Sequence, residues 1–213
     1  MLMKKDHAPY PITGIIILAA GASTRMGQAK QLLQVEGESM LQRAVRIALS
    51  TPYRPVVVVL GANREQIEPS LQGLEVLRVD NPDWATGMGG SIATGLAHLL
   101  QQVPALQQIV ILVGDQPLLT SDHLMALVNA NIHGTCPMVV SRYTNTTGVP
   151  ALFEQSLFVD LLALYGAQGA KPVIQKYLDQ AGIVDFAPGA LDIDTPEEWA
   201  AFLAKNQAKK EGK

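Results

Sequence analysis

Ile15-Ile-Ile-Leu-Ala-Ala-Gly-Ala-Ser-Thr-Arg-Met-Gly-Gln-Ala-Lys30 is the stretch on which the reading of this chain turns. Its first five residues are apolar without alternation, as in a strand buried on both faces of a parallel sheet. Ligands of open α/β sheets bind beyond the carboxyl ends of the strands, so the residues that follow carry the chemistry. Ala19 to Ala22 are small enough for a ligand to approach the backbone amides, and Arg25 and Lys30 add two cations at the same rim. Small residues, free amides and paired cations suit a polyphosphate. A glycine turn flanked by two solvated charges is the plainer alternative. The two commonest phosphate motifs are excluded by spacing. A P-loop needs G-x-x-x-x-G-K-[ST], and a dinucleotide fold needs G-x-G-x-x-G; neither Gly21 nor Gly27 completes them.

Outward from this stretch, short apolar runs alternate with helical patterns. Strands are predicted over 15–19, 55–60, 74–79, 109–113 and 138–140. Helical spacing follows Ser39, Asn63, Ser91 and Ser121, with Ser39, Asn63 and Ser121 as expected N-caps. This alternation predicts a wound α/β sheet with right-handed crossovers. Past Ser141 the rhythm changes. A polar loop is expected over 141–148, a short strand over 149–153, and helices over 156–165 and 172–180. A strand over 183–186 and a last helix over 195–205, with Pro196 in its first turn, complete the order. No linker or repeat interrupts the pattern. One domain is expected over 1–213, with a mobile leader at 1–11 and a mobile tail at 206–213.

Composition narrows the partners. The 213 residues are 48% hydrophobic and 16% charged, with mean hydropathy +0.17, which excludes a disordered chain. Net charge −3 and only 5% aromatic residues argue against a phosphate-tracking surface or a stacking platform for nucleic acid. A single cysteine, Cys136, makes a reducing cytoplasm the expected compartment. Lys4, Lys5 and the apolar run over 14–22 imitate a secretion signal. Asp6, His7, Pro9 and Pro11 interrupt it, the run is short, and Arg25 and Lys30 follow closely, so a core strand is expected instead. No apolar stretch approaches the roughly 20 residues of a membrane-spanning helix.

Leu18-Ala-Ala-Gly-x-Ser-x-Arg-Met-Gly-x-x-Lys-x-Leu-Leu33 resembles the N-terminal signature of the nucleotidyltransferases related to the molybdenum cofactor guanylyl- and cytidylyltransferases. Asn81-Pro-Asp-Trp-Ala-Thr-Gly-Met-Gly-Gly-Ser-Ile92 is similar to that family's middle loop, and Gly114-Asp-Gln-Pro117 to its metal-site turn. Gly148-Val-Pro-Ala-Leu-Phe153 resembles its acceptor-side segment, and Asp192-Ile-Asp-Thr-Pro-Glu-Glu198 its closing motif. The resemblance implies a Rossmann-like three-layer α/β/α sandwich with a mostly parallel sheet, of the nucleotide-diphospho-sugar transferase type. It implies attack by an acceptor phosphate on the α-phosphorus of a nucleoside triphosphate, with release of pyrophosphate.

Residue types support that chemistry. Two anions must meet, so neutralisation and alignment matter more than covalent catalysis. Arg25 and Lys30 would hold the β- and γ-phosphates. Asp115, directly after an apolar strand and before Pro117, suits Mg²⁺ (or Mn²⁺), with a helix-capping Asp as the plainer reading. By the family pattern Asp194 is the second ligand, with Asp192 the neighbouring alternative. The resemblance lays the nucleobase against Leu18, Ala19, Ala20 and Gly21, and against Gly87, Gly89 and Ser91. It assigns Gly148, Pro150 and Lys171 to the acceptor. Leu-Ala-Ala-Gly and the Gly-Met-Gly-x-Ser loop resemble the cytidylyl branch, so CTP and a molybdopterin-type acceptor are expected, with an apo-molybdoenzyme as eventual partner. One loop departs: relatives carry Gly-Asp-x-Gly-Ala-Arg where this chain has Ala167 and Lys171, and Lys lacks the bidentate fork of Arg. A sugar-phosphate or other phosphorylated acceptor, or a non-catalytic cofactor chaperone, are the competing readings. His98, His123 and His133 are expected at the surface or at helix ends, Cys136 as a packed thiol and Trp199 in the core. For Met26, Met88 and Trp84, packing and a place in the site stand even.

Overall fold

The computed structural model describes residues 11–211. Among the described residues nine strands run in chain order: β1 (Thr13–Ala19), β2 (Gln34–Val35), β3 (Glu38–Ser39), β4 (Val56–Leu60), β5 (Leu77–Asp80), β6 (Gln108–Val113), β7 (Met138–Tyr143), β8 (Thr146–Glu154) and β9 (Gly182–Asp185). The α-helices are α1 (Met40–Leu49), α2 (Arg64–Ile67), α3 (Met88–Gln102), α4 (Ser121–Asn129), α5 (Phe158–Leu162), α6 (Lys171–Tyr177) and α7 (Pro196–Glu211). Short 3₁₀ turns fill several of the joins, among them Thr24–Met26, Lys30–Leu32 and Trp84–Thr86.

Seven strands form one sheet in the order β5-β4-β1-β6-β8-β7-β9. The pairings β4–β5, β1–β4, β1–β6 and β7–β9 are parallel, while β6–β8 and β7–β8 are antiparallel. Because β1 is buried on both faces, its alternate residues feed two cores. Ile15, Ile17 and Ala19 pack with Leu41 and Val45 of α1 and Leu124 and Leu127 of α4. Ile16 and Leu18 pack with Ile92, Leu96 and Leu99 of α3 and with residues of α5 and α6. The result is the wound sheet that the alternating pattern predicts, built as the three-layer, mostly parallel Rossmann-like sandwich that the resemblance implies. Gly95 lets α3 lie against the sheet, since a Cβ there would come within 2.8 Å of Val59 and 2.9 Å of Ile16. Among the described residues no helix is long and apolar enough to cross a membrane.

Several local expectations are corrected. The polar stretch over 141–148 is no loop: β7 and β8 form a hairpin that turns at Thr144 and Asn145, with Thr144 at φ 55°. Tyr143, Thr146 and Thr147 are good strand formers whose polarity only reflects a solvated face. The cap of α4 is Thr120, whose side chain accepts from the His123 amide, so Ser121 is the first helical residue. Ser39 does cap α1, in a reciprocal capping box with Gln42. Asn63 precedes α2 without a side-chain cap bond. α3 starts at Met88, three residues before the expected Ser91. His123 is buried: its ring stacks on Phe186 at 4.2 Å and its Nε2 lies 2.7 Å from Ser141 Oγ. Helical spacing alone could not show that β7 and the Phe186 segment close over it. α7 continues to Glu211, into the expected tail, as its run of good helix formers allows. The expected leader, with Lys4, Lys5 and His7, lies outside the described residues apart from Pro11.

Candidate active site

The carboxyl end of β1 is where strand order reverses, with β4 on one side and β6 on the other, the place where wound sheets bind ligands. The loop after β1 leaves through Gly21 and Ala22 and reaches Ser23 at φ 53°. Gln31 shapes it: this buried side chain donates from Nε2 to the Ala19 carbonyl at 3.3 Å and the Gly21 carbonyl at 3.2 Å. Asn63 Nδ2 donates to the Gly21 and Ala22 carbonyls at 3.4 Å. With these carbonyls tied back, the loop is held open above the sheet.

A cleft of about 390 Å³ lies there. One wall is Leu18, Ala20, Gly21, Arg25, Lys30 and Gln31; the other is Trp84, Gly87, Met88 and Ser91; Asp115, Ala167 and Asp194 close it. Ser91 is oriented by Asn81, whose Nδ2 donates to its Oγ at 3.0 Å. Gly87, at φ 124°, permits a contact no other residue could make, because a Cβ there would overlap the Gly166 carbonyl. The Gly89 amide donates to that same carbonyl at 2.9 Å. The late loop is thereby docked on the middle loop, and Ala167 reaches the cleft.

The charges are arranged around one lysine. Lys30 Nζ hydrogen-bonds Asp194 Oδ1, Arg25 pairs with Asp194 Oδ2, and Lys30 Nζ stands 3.9 Å from Asp115 Oδ2. The Lys30 side chain is 11% exposed and that of Arg25 70%. Hydrogen bonding from Lys30, then the charges of Lys30 and Arg25, hold the Asp194 carboxyl below the usual carboxylate range. Asp115 is the opposite case. Open to the water of the cleft but enclosed by protein elsewhere, its carboxyl is pushed up by desolvation; Lys30 opposes this, and Asp192 and Asp194 add to it.

Asp115 also lines a second cavity of about 550 Å³. Val113, Gln116, Tyr143, Asn145, Leu191 and Asp192 stand around it. Asp115 and Val113 thus line both cavities. Carboxylate oxygens raised in energy by burial are a fitting donor set for a hard divalent cation, which takes one or two carboxylates and fills its shell with water and phosphate. Among the described residues no group of three or more His, Cys, Asp or Glu side chains forms a closed metal cage.

Leu18, Ala20, Gly21, Arg25, Lys30, Gly87, Ser91, Asp115 and Asp194 therefore meet at one cleft. Ala19 and Gly89 do not line it; Ala19 is core, and Gly89 packs on the Tyr165 backbone. Gly148, Pro150 and Lys171 line neither chamber. Gly148 instead makes room for the Tyr143 hydroxyl, which donates to the Val149 carbonyl at 3.2 Å. Trp84 and Met88 belong to the cleft, whereas Met26 is core. Gln31, Gln116, Tyr143 and Asn145 escaped the sequence reading. Gln116 stood within the Gly114–Pro117 turn, and Gln31 beside Lys30, without a role assigned to either.

Comparison with known proteins agrees with this geometry. Residues 15–181 match the family model described as the MobA-like NTP transferase domain. The chain is 34% identical over 204 residues to purine catabolism protein PucB of Bacillus subtilis, covering 91% of this chain and 96% of that one. It is 31% identical over 145 residues to the bifunctional protein GlmU of Corynebacterium diphtheriae, 65% of this chain but only 29% of that relative. Among solved structures, Rv0371c of Mycobacterium tuberculosis superposes with TM-score 0.75 at 25% identity, over 91% of this chain and 98% of that one. A second structure of Rv0371c is a complex with manganese. The fold, the cleft at the end of β1 and these matches together make the chain a nucleotidyltransferase, a member of the MobA-like NTP transferase family.

Proposed function

We propose that the protein transfers CMP from CTP to a molybdopterin–molybdenum acceptor and releases pyrophosphate. The observation that carries this reading is that Asp115 lines both cavities, with Lys30, which lines the cleft alone, 3.9 Å away. The nucleotide occupies the cleft and the acceptor the second chamber, so their reacting phosphates meet beside Asp115. An acceptor phosphate oxygen attacks the α-phosphorus; the new P–O bond forms as the α–β bridging P–O bond breaks, and pyrophosphate leaves with that electron pair. An ionised phosphate nucleophile needs no general base.

Lys30 and Arg25 hold the β- and γ-phosphates and then the departing pyrophosphate. Asp115 and Asp194, with Asp192 adjacent, are the residues that would hold Mg²⁺ or Mn²⁺, which when bound neutralises charge at the α-phosphate. For Asp194 this means sharing oxygens that Lys30 and Arg25 hold in the free protein. Ala20 supports the pyrimidine. It lines the cleft, and its methyl group narrows the wall relative to a glycine, which fits the smaller ring. Leu18, Gly21, Gly87 and Ser91 complete the nucleotide wall, with Ala19 and Gly89 behind it. Gly148 makes room for Tyr143, which lines the second chamber, whereas Pro150 and Lys171 line neither chamber and take no part in this placement of the acceptor. A reducing cytoplasm, where the cofactor's sulfur ligands survive, suits the single thiol of Cys136. The test is pyrophosphate release with CTP and with GTP, each with molybdopterin–molybdenum. CTP turnover is expected, and faster release with GTP would overturn the base assignment.

A further inference from the structure

α7 begins with a cap that reaches one residue further than a cap needs. Thr195 Oγ1 accepts from the Glu198 amide at 3.3 Å, and Glu198 Oε2 accepts from the Thr195 amide at 3.0 Å. These two bonds are the reciprocal capping box of a helix start. The same Glu198 oxygen also accepts from the Asp194 amide, at 2.7 Å, and this shortest of the three bonds lies outside the box. Its donor belongs to the residue whose carboxyl group pairs with both Lys30 and Arg25. Asp194 is therefore held along its backbone: the preceding Ile193 is buried in one cluster with Met26, Leu33 and Phe202, and Glu198 takes its own amide. An aspartate side chain is short, so a fixed backbone leaves its carboxyl group few positions. Glu198 itself is exposed and lines neither cavity, so it reaches the site only through Asp194.

We propose that Glu198 is a positioning residue for nucleotidyl transfer: by holding the Asp194 amide it aims the Asp194 carboxyl group at Lys30 and Arg25, and so fixes the place where phosphates and a divalent cation are held. The first turn of α7 thereby couples the packing of that helix to the charges of the cleft. This rests on Lys30 and Arg25 as the phosphate cations and on Asp194 as a metal ligand, but on neither CTP nor the acceptor.

The experiment measures binding of inorganic pyrophosphate in the presence of Mn²⁺, by titration calorimetry, together with the melting temperature. Wild type is compared with Glu198→Ala, Glu198→Gln and Thr195→Ala. Thr195→Ala removes the other half of the cap and leaves the bond from the Asp194 amide in place, so it reports what capping alone contributes. Both alanine variants should melt about 2–4 °C below wild type, the usual effect of losing a cap in a domain of this size. Glu198→Ala should bind manganese pyrophosphate about 10- to 100-fold more weakly, the range found when a group that orients a metal-holding side chain is removed. Thr195→Ala should bind within a few-fold of wild type. So should Glu198→Gln, whose amide oxygen accepts from the same two backbone amides. Equal losses of binding in the two alanine variants overturn the inference, because they reduce Glu198 to a cap. Unchanged binding by Glu198→Ala, or failure of Glu198→Gln to restore it, does the same. Wild type that ignores manganese pyrophosphate also overturns it, even where CTP is turned over. Turnover confined to GTP or to another acceptor instead overturns the functional reading and leaves the Glu198 result standing.

Discussion

Lys30 and Asp194, 164 positions apart in the chain, are joined by a hydrogen-bonded ion pair at the carboxyl end of β1. The third hydrophobic cluster explains how they meet. Met26, Leu33, Val35 and Met40 from the segment after β1 pack with Ile193 and Phe202 from the closing segment and α7. Ile193 is buried, so its neighbour Asp194 is turned to the cleft. Lys30 and Arg25 are therefore held by one carboxylate in the free protein, which on the proposed reading lowers the ordering cost of binding a nucleotide.

Replacing Lys30 by Ala should leave a folded protein, since Arg25 still pairs with Asp194. Turnover should fall on the order of 10²–10³, the usual cost of one positioned transition-state donor. Circular dichroism together with pyrophosphate release checks this, and wild-type turnover would remove Lys30 from the mechanism.

Asp115→Asn should separate stability from activity. The carboxylate charge is costly where it stands, so the amide should leave melting at neutral pH unchanged or raise it, while nucleotidyl transfer drops at least about 10³-fold. Added Mg²⁺ or Mn²⁺ should raise the melting temperature of wild type and not of the variant. Equal metal stabilisation of both proteins would place the cation elsewhere.

Ala20→Gly should widen the base end of the cleft. We expect the CTP-to-GTP ratio of kcat/KM to fall about tenfold, in the range one methyl group commands in a fitted pocket. Side-by-side kinetics with the two nucleotides decides it, and an unchanged ratio would move base selection to another residue.

His123 should make stability depend on pH. Burial lowers its pKa from 6.5 to about 4. Between those values the unfolded chain binds a proton that the folded protein refuses, so stability is whole above about pH 6.5 and is lost as pH falls towards about 4. The loss should be on the order of 1–3 kcal/mol, and His123→Gln should flatten it. Urea midpoints at about pH 7 and about pH 4.5 provide the comparison; parallel slopes for both proteins would assign the dependence to other groups.

Much of this was legible in one dimension. An uninterrupted Ile-Ile-Ile-Leu-Ala run set in an alternation of short apolar runs and helical patterns reads as a strand covered on both sides by helices, so the wound α/β fold follows from local pattern and the cost of exposing apolar surface. The cations after β1 and the carboxylate after β6 were legible for a related reason: the ends of parallel strands lie side by side, so residues directly after them must converge. Tertiary structure alone decided the rest. It brought Asp194 to Lys30 through the packing of α7, set Asp115 on the lining of both cavities, and carried Tyr143 and Asn145, by way of a hairpin that the polar sequence concealed, to the cavity that Asp192 also lines. It also buried His123 under Phe186 and set the Glu198 carboxylate on the Asp194 amide. Such placements depend on how separate elements fill space against one another, and no periodicity within a single element records that.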